Sequence, residues 1–227
     1  MATVEEKVLP LYPGQRLTRD EFLRRWEAMP HLKNAELIGG IVYMPSPVSL
    51  DHGDSDNGVA VWQGVYAAGT PGVKSNSKST WLMLEDSPQP ESSLRLLSDL
   101  GGHSHRDGKY IAGSPEFLAE VSLSSEDYDL HEKLDLYEQA GVNEYLVVLL
   151  ASREIRWHRL VEAAYQLIPP DADGILRSKV FPGLWLHPQA LLGGDMALVL
   201  ATLQKGLESK EHAVFVQELQ RRRGGKE

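Results

Sequence analysis

Three residues of this sequence have the types and the order to act on a charged substrate: Glu91, Glu120 and Lys133. Glu91 opens one apolar run, Glu120 interrupts a second, and Lys133 follows on the helix after it. Burying a carboxylate is costly unless a cation or donors meet it, so an acid inside a strand needs a reason. Two carboxylates on neighbouring strands can hold a hard divalent cation such as Mg²⁺ through oxygen ligands. Such an ion polarises a phosphoryl oxygen and lowers the pKa of bound water. A lysine beside it can orient that water or neutralise developing charge. The competing account of Lys133 is a stem lying along the core with its ammonium in water. If Lys133 is instead catalytic, Lys133→Ala is expected to abolish cleavage and, as for a surface ammonium, to change stability by no more than about 0.5 kcal/mol.

The elements that must position these groups are legible in outline. Phe117 to Leu123 reads as a buried strand, with Glu120 and Ser122 on one face and Phe117, Ala119 and Val121 on the other. A helix is predicted from Ser125–Asp127 to Gly141, with Leu130, Leu134 and Tyr137 on one stripe and Lys133 at its margin. Glu144 to Leu150 is the next strand. Upstream, Thr18 to Met29 reads as a helix with Thr18 and Glu21 as a capping box. Ala35 to Met44 reads as a hairpin turning at Gly39-Gly40, with Glu36 exposed on its first arm. Residues 1–17 and Pro45 to Leu50 read as irregular, and a helix is predicted over 57–68 with Asp54 or Asp56 as its cap. Thr80 to Leu84 and Glu91 to Leu97 are predicted strands, and Gly101 to Gly108 a polar loop. Glu154 to Leu160 with Ala164 to Ile168 is predicted as a second hairpin. Residues 195–220 are helical in pattern, and the tail from Arg221 is expected to be disordered.

Composition narrows the function classes. The chain has 227 residues, 42% hydrophobic and 24% charged, ample for a buried core. It has no cysteine, which excludes disulfides and thiolate zinc sites. The absence of a signal-like start and of a long apolar run predicts a cytoplasmic protein with no membrane partner. The net charge of −9 argues against unassisted nucleic-acid binding, and the R-R-R run at 221–223 reads as solvated surface. There is no Gly-rich phosphate loop and no G-x-S-x-G elbow. His103 and His105 lack further ligands nearby, and D-A-D-G at 171–174 is a turn.

One long block is specific enough to suggest a family. P-E-F-L-A-E-V-S-L-S-S-E-D-Y-D-L-H-E-K-L-D-L-Y-E-Q-A-G-V-N-E-Y-L-V (115–147) resembles the acid-strand, lysine-helix and following-strand block of the Uma-two family of restriction endonucleases, within the PD-(D/E)XK nuclease superfamily. A-E-L-I-G-G-I-V-Y-M-P-S-P-V-S (35–49), D-H-G (51–53), S-P-Q-P-E (87–91) and V-F-P-G-L-W-L (180–186) match smaller pieces in the same order. The resemblance implies a metal site of Glu91, in the place of the P-D aspartate, with Glu120 and the carbonyl of Val121. It takes the lysine from the helix, at Lys133, while the superfamily's usual lysine position is Ser122 here. Glu36 corresponds to the hairpin acid and His52 to a histidine of the family. The family's I-D-G turn is Ile38-Gly39-Gly40 here, and the P-D aspartate is the longer Glu91.

The resulting expectation is a restriction-endonuclease-like α/β domain over 1–194, a mixed sheet flanked by helices, with a helical extension over 195–227. The expected activity is Mg²⁺-dependent hydrolysis of nucleic-acid phosphodiesters, DNA first, with Mn²⁺ as a substitute and a homodimer by analogy. Glu36, Glu91, Glu120 and Lys133 would be catalytic, with His52 and Ser122 accessory. The alternative is a binding or assembly module that kept the fold and lost the chemistry.

Overall fold

A six-stranded mixed sheet carries the residues singled out above. The computed structural model describes residues 8–44, 49–123 and 125–225, so the readings on 1–7 and on 45–48 lie outside them. The chain opens with α1 (Arg19–Glu27) and the hairpin β1 (Glu36–Ile38) and β2 (Ile41–Tyr43), followed by the long α2 (Leu50–Gly69). Next come β3 (Val73–Ser77), β4 (Trp81–Leu82), β5 (Ser92–Leu96), β6 (Ser104–Asp107) and β7 (Tyr110–Gly113). The central block gives β8 (Phe117–Ser122), α3 (Glu126–Leu130), α4 (Glu132–Gln139) and β9 (Glu144–Leu149). The remainder is β10 (Glu154–Val161), β11 (Ala164–Leu167), β12 (Leu176–Arg177), β13 (Trp185–Leu186), α5 (Pro188–Leu192), α6 (Met196–Leu207) and α7 (Lys210–Gly224).

The sheet order is β11-β10-β9-β8-β5-β3. Only β8 and β9 pair in parallel, because the α3–α4 crossover returns the chain to the same end; the other neighbours are antiparallel. Strand alternation then sorts side chains to two faces. Phe117, Ala119 and Val121 pack with Trp62 and Tyr66 of α2, Trp157, and Val199 and Leu203 of α6. Trp62, Phe117 and Trp157 meet edge to face at centroid distances of 5.3 to 6.1 Å, a geometry worth about 0.5–1.5 kcal/mol per pair beyond area burial. The other face, bearing Leu118 and Val147, packs against Leu136 and Tyr137 of α4, Ile38 of the hairpin and Trp81. Glu120 projects to this second face.

Several local expectations hold. Thr18 caps α1 by accepting from the Glu21 backbone N–H, but the Glu21 carboxylate binds Arg24 and Arg25 instead of completing the expected capping box. Gly39 and Gly40 both have positive φ, as a two-residue hairpin turn requires. Others need correction. Ser49, not Asp54 or Asp56, caps α2, which begins a full two turns earlier than expected and leaves both acids inside the helix. The predicted polar loop contains β6, paired with β7 across a Gly108-Lys109 turn. The predicted single helix after Glu120 breaks at His131 (φ −126°), where the Asp129 carbonyl accepts from the Tyr145 hydroxyl at 3.0 Å. Residues 195–220 split into α6 and α7, with Ser209 capping the second. That helix runs to Gly224 rather than fraying from Arg221, and its Leu219 is buried in the core with Val199 and Leu203.

Candidate active site

Glu120 stands in the middle of β8 on the face that α4 covers, and it is 3% exposed. The β5–β8 register pairs Ser92 with Ala119, so one step further Glu91 lies beside Glu120, and the Glu91 backbone N–H donates to Glu120 Oε2 at 3.3 Å. On the other side, Lys133 Nζ donates to Glu120 Oε1 at 2.8 Å and the Tyr137 hydroxyl donates to the same oxygen at 2.9 Å. One turn of α4 separates these two donors, which is how both reach one carboxylate. The ammonium also lies 3.3 Å from Glu36 Oε2 and 3.6 Å from Asp129 Oδ1. Lys133 is 5% exposed, so its head is not in water as the plain reading of its helix position allows.

Glu36 is likewise turned inward: its other oxygen accepts from the Gln89 backbone N–H at 2.7 Å. Glu91, immediately before β5, meets a second set of cations. His52 Nε2 lies 3.5 Å from its Oε1, and Lys78 Nζ lies 3.2 Å from its Oε2. Lys78 reaches Asp56 of α2 at the same distance. His52 also places Nε2 2.8 Å from the Val121 carbonyl, tying α2 to the strand that carries Glu120. Ser122 contacts Ser125 through their hydroxyls, and Ser125 donates to Asp129 Oδ2 at 2.7 Å. These groups line a cleft of about 670 Å³ whose wall also includes Tyr43, Tyr128 and His131.

The electrostatics follow from burial. Burial pushes the Glu120 carboxyl up to about 8, opposed by Lys133 and reinforced by Asp129, Glu36 and Glu91. Burial alone would lower the Lys133 ammonium, but Glu120, Glu36 and Asp129 hold it well above the usual lysine range. Burial and then Asp56 raise Glu91, against Lys78 and His52. The cleft therefore holds more carboxylate than cation. Asp56 Oδ1 is buried without a hydrogen bond, while Glu91 Oε2 is met by the Lys78 ammonium at 3.2 Å. An excess of carboxylate oxygens over cations, one of them unpartnered, fits a hard divalent ion, and Glu91, Glu120 and the Val121 carbonyl could hold one. Among the described residues no three His, Asp or Glu side chains converge as a preformed cage.

Sequence reasoning placed Glu36, His52, Glu91, Glu120, Val121, Ser122 and Lys133; the fold brings six of them to this cleft, while Ser122 is buried behind its wall, bonded to Ser125. It missed Asp129, Tyr137, Lys78 and Asp56. Asp129 and Tyr137 were within its reach, because they lie four residues on either side of Lys133. Asp56 and Lys78 meet Glu91 only through tertiary packing. His103 and His105 lie away on β6 and its approach, where the His103 ring sits 3.8 Å from Glu116, and Asp171 and Asp173 hold Arg177.

With this geometry in view, comparison with known proteins is informative. The model of the Uma2 family, described as "Putative restriction endonuclease", matches residues 19–189. The fold is similar to a crystal structure described as "a putative nuclease belonging to DUF820" from Anabaena variabilis, at 15% identity and a TM-score of 0.60, covering 78% of this chain and 98% of that one. At that identity the likeness concerns the fold alone. No curated protein matches the chain. No helix among the described residues is long and apolar enough to cross a membrane. The family match spans well over half of the sequence and takes in every site residue named above, so the chain belongs to the Uma2 family.

Proposed function

We propose that this protein is a divalent-metal-dependent endonuclease that hydrolyses DNA phosphodiesters. The observation that carries the reading is the Lys133 ammonium bound to Glu120 with Glu91 beside it, in a cleft open to a large ligand. Glu91, Glu120 and the Val121 carbonyl would hold Mg²⁺, or Mn²⁺ in its place. When bound, the ion would polarise a phosphoryl oxygen and lower the pKa of a water.

The protein's own groups set the geometry. Tyr137 and Lys133 fix one oxygen of Glu120, leaving Oε2 turned toward Glu91. Glu36 and Asp129 hold the ammonium charged and in place, ready to neutralise charge developing on the phosphate. His52 orients the Val121 carbonyl from α2. Ser122, through Ser125, positions Asp129 and so acts on Lys133 at one remove. Cutting both strands of a duplex takes two such clefts, so a homodimer belongs to this reading.

The test is nicking of supercoiled plasmid at low salt with Mg²⁺ or Mn²⁺, since an acidic protein holds DNA weakly and salt weakens it further. Wild type should nick, Glu120→Gln should not, and chelation should stop the reaction. Wild-type protein inert with both ions would overturn the reading in favour of a nuclease fold retained for binding or assembly.

A further inference from the structure

The acidic total hides a segregation of charge. β3 is the outer strand of the six-stranded sheet and pairs only with β5. Alternation sends Lys74 and Asn76 to one side, and Lys78, just past the strand with a positive φ, turns its ammonium to Asp56 and Glu91. The register sets Lys74 opposite Arg95 and Asn76 opposite Ser93, on the face that also bears Glu91 and Glu120. Lys78 is a wall of the cleft, and its backbone is pinned by bonds to the Glu91 carbonyl and the Gln89 side chain. At the far end of the strand, a side chain added at Gly72 would have the Arg223 guanidinium 3.9 Å from its Cβ, and Arg222 donates to the Leu100 carbonyl at 2.9 Å. The end of α7 therefore lies beside the start of β3, with Arg221, Arg222 and Arg223 exposed on it.

Acids temper this edge without cancelling it. Asp56 and Glu91 share Lys78, and Glu218 holds Arg221 and Arg222. Asp99 lies on the 3-10 turn near Arg222. Lys74 and Arg95 are directly opposite like charges, an arrangement that destabilises a ladder, and Arg95 Nε donates to Asn76 Oδ1 at 3.2 Å. The six steps from Gly72 to Lys78 span about 20 Å at roughly 3.3 Å each. One DNA strand presents a charge about every 3.4 Å of axis, so the edge matches about six phosphates.

We propose that Lys74, Arg95 and Arg223, leading to Lys78, form a track for the phosphate backbone of the nucleic-acid strand that enters the cleft. The proposal rests on the nuclease reading for its partner, but its test does not depend on cleavage. Full-length protein is titrated with fluorescently labelled single-stranded and duplex DNA in EDTA, over a range of salt. Lys74→Glu and Arg223→Glu are compared singly and together with Lys210→Glu, an exposed lysine at the opposite end of α7. Thermal melts establish that each variant folds.

Each phosphate contact contributes about 0.9 to the logarithmic salt slope on duplex and about 0.7 on single strands. The double variant should therefore lose about 1.4–1.8 from the slope. Between about 50 and 200 mM salt, wild type should lose about tenfold more affinity than the double variant. Lys210→Glu should match wild type. Equal slopes for wild type and the double variant, or an equal loss in Lys210→Glu, would overturn the track. Polyglutamate displacing labelled DNA as well as unlabelled DNA does would also overturn it, in favour of an acidic protein partner. If the slopes change as stated but plasmid is never nicked, the track stands and the nuclease reading fails. Nicking with unchanged slopes gives the reverse.

Discussion

Replacing Lys133 by Met keeps the length of the stem and removes the charge, and the structure makes its cost large. The ammonium sits within 2.8, 3.3 and 3.6 Å of Glu120, Glu36 and Asp129, and Lys133 and two of its three partners are almost fully buried. Removing one partner of a buried ion pair leaves uncompensated charge and costs about 3–5 kcal/mol. Glu120 is already pushed toward protonation, so part of that cost is relieved by proton uptake. A loss of about 3 kcal/mol is expected at neutral pH. For a chain of this size that corresponds to a fall of roughly 6–12 °C in Tm. Glu120→Gln in the Lys133→Met background should restore most of it by removing the stranded charge, a coupling that a double-mutant cycle measures directly. The penalty should also shrink as pH falls, because protonated carboxylates no longer need the ammonium. Differential scanning calorimetry on the two single variants and the double variant measures all of this. A Tm within one degree or so of wild type would mean that the ammonium is solvated as an exposed lysine's would be, where the expected cost is only about 0.5 kcal/mol.

Three other outcomes can be checked. Glu91 uses its full length to meet His52 and Lys78, so Glu91→Asp should lower plasmid nicking, by up to about a hundredfold for a shift of roughly an ångström, and Glu91→Ala should abolish it; a faster Glu91→Asp enzyme would show that the longer acid is a defect. Glu144 is fully buried and accepts from Trp157, Arg159, Ser178 and the Lys179 backbone, so Glu144→Ala should destabilise by about 3 kcal/mol or more in urea unfolding while sparing the cleft; an unchanged midpoint would contradict this. Burial lowers His212, which lies 2.9 Å from the Thr70 hydroxyl and 2.8 Å from the Leu207 carbonyl. The unfolded chain then takes up its proton first, near pH 6.5, and stability falls as pH drops below that value, so between pH 7 and 5 the Tm of His212→Gln should decline less than that of wild type; parallel declines would refute the assignment.

What the sequence determined by itself is local and periodic. Alternation in F-L-A-E-V-S put Glu120 and Ser122 on the face away from Phe117, Ala119 and Val121, and that is where they are. Helical spacing turned Lys133 toward the sheet, and Gly39-Gly40 specified a tight hairpin because only residues tolerant of positive φ close one. Side-chain direction along one element is a property of that element, so it survives without knowledge of the neighbours. Burial and pairing do not have that property. Lys133 and Glu36 read as exposed until the hairpin, α3 and α4 close over them, and Glu91 meets Glu120 only through the β5–β8 register. The Ser49 cap on α2 carries Asp56 and His52 to Glu91, two helical turns of chain that composition alone left as loop. The break at His131 likewise has no strong local signal: the Asp129 carbonyl beside it accepts from the Tyr145 hydroxyl of the next strand, and the Asp129 carboxylate lies 3.6 Å from the lysine. Tertiary structure decided these because the charge of a carboxylate and the head of a lysine are settled by what covers them, and that cover comes from elsewhere in the chain.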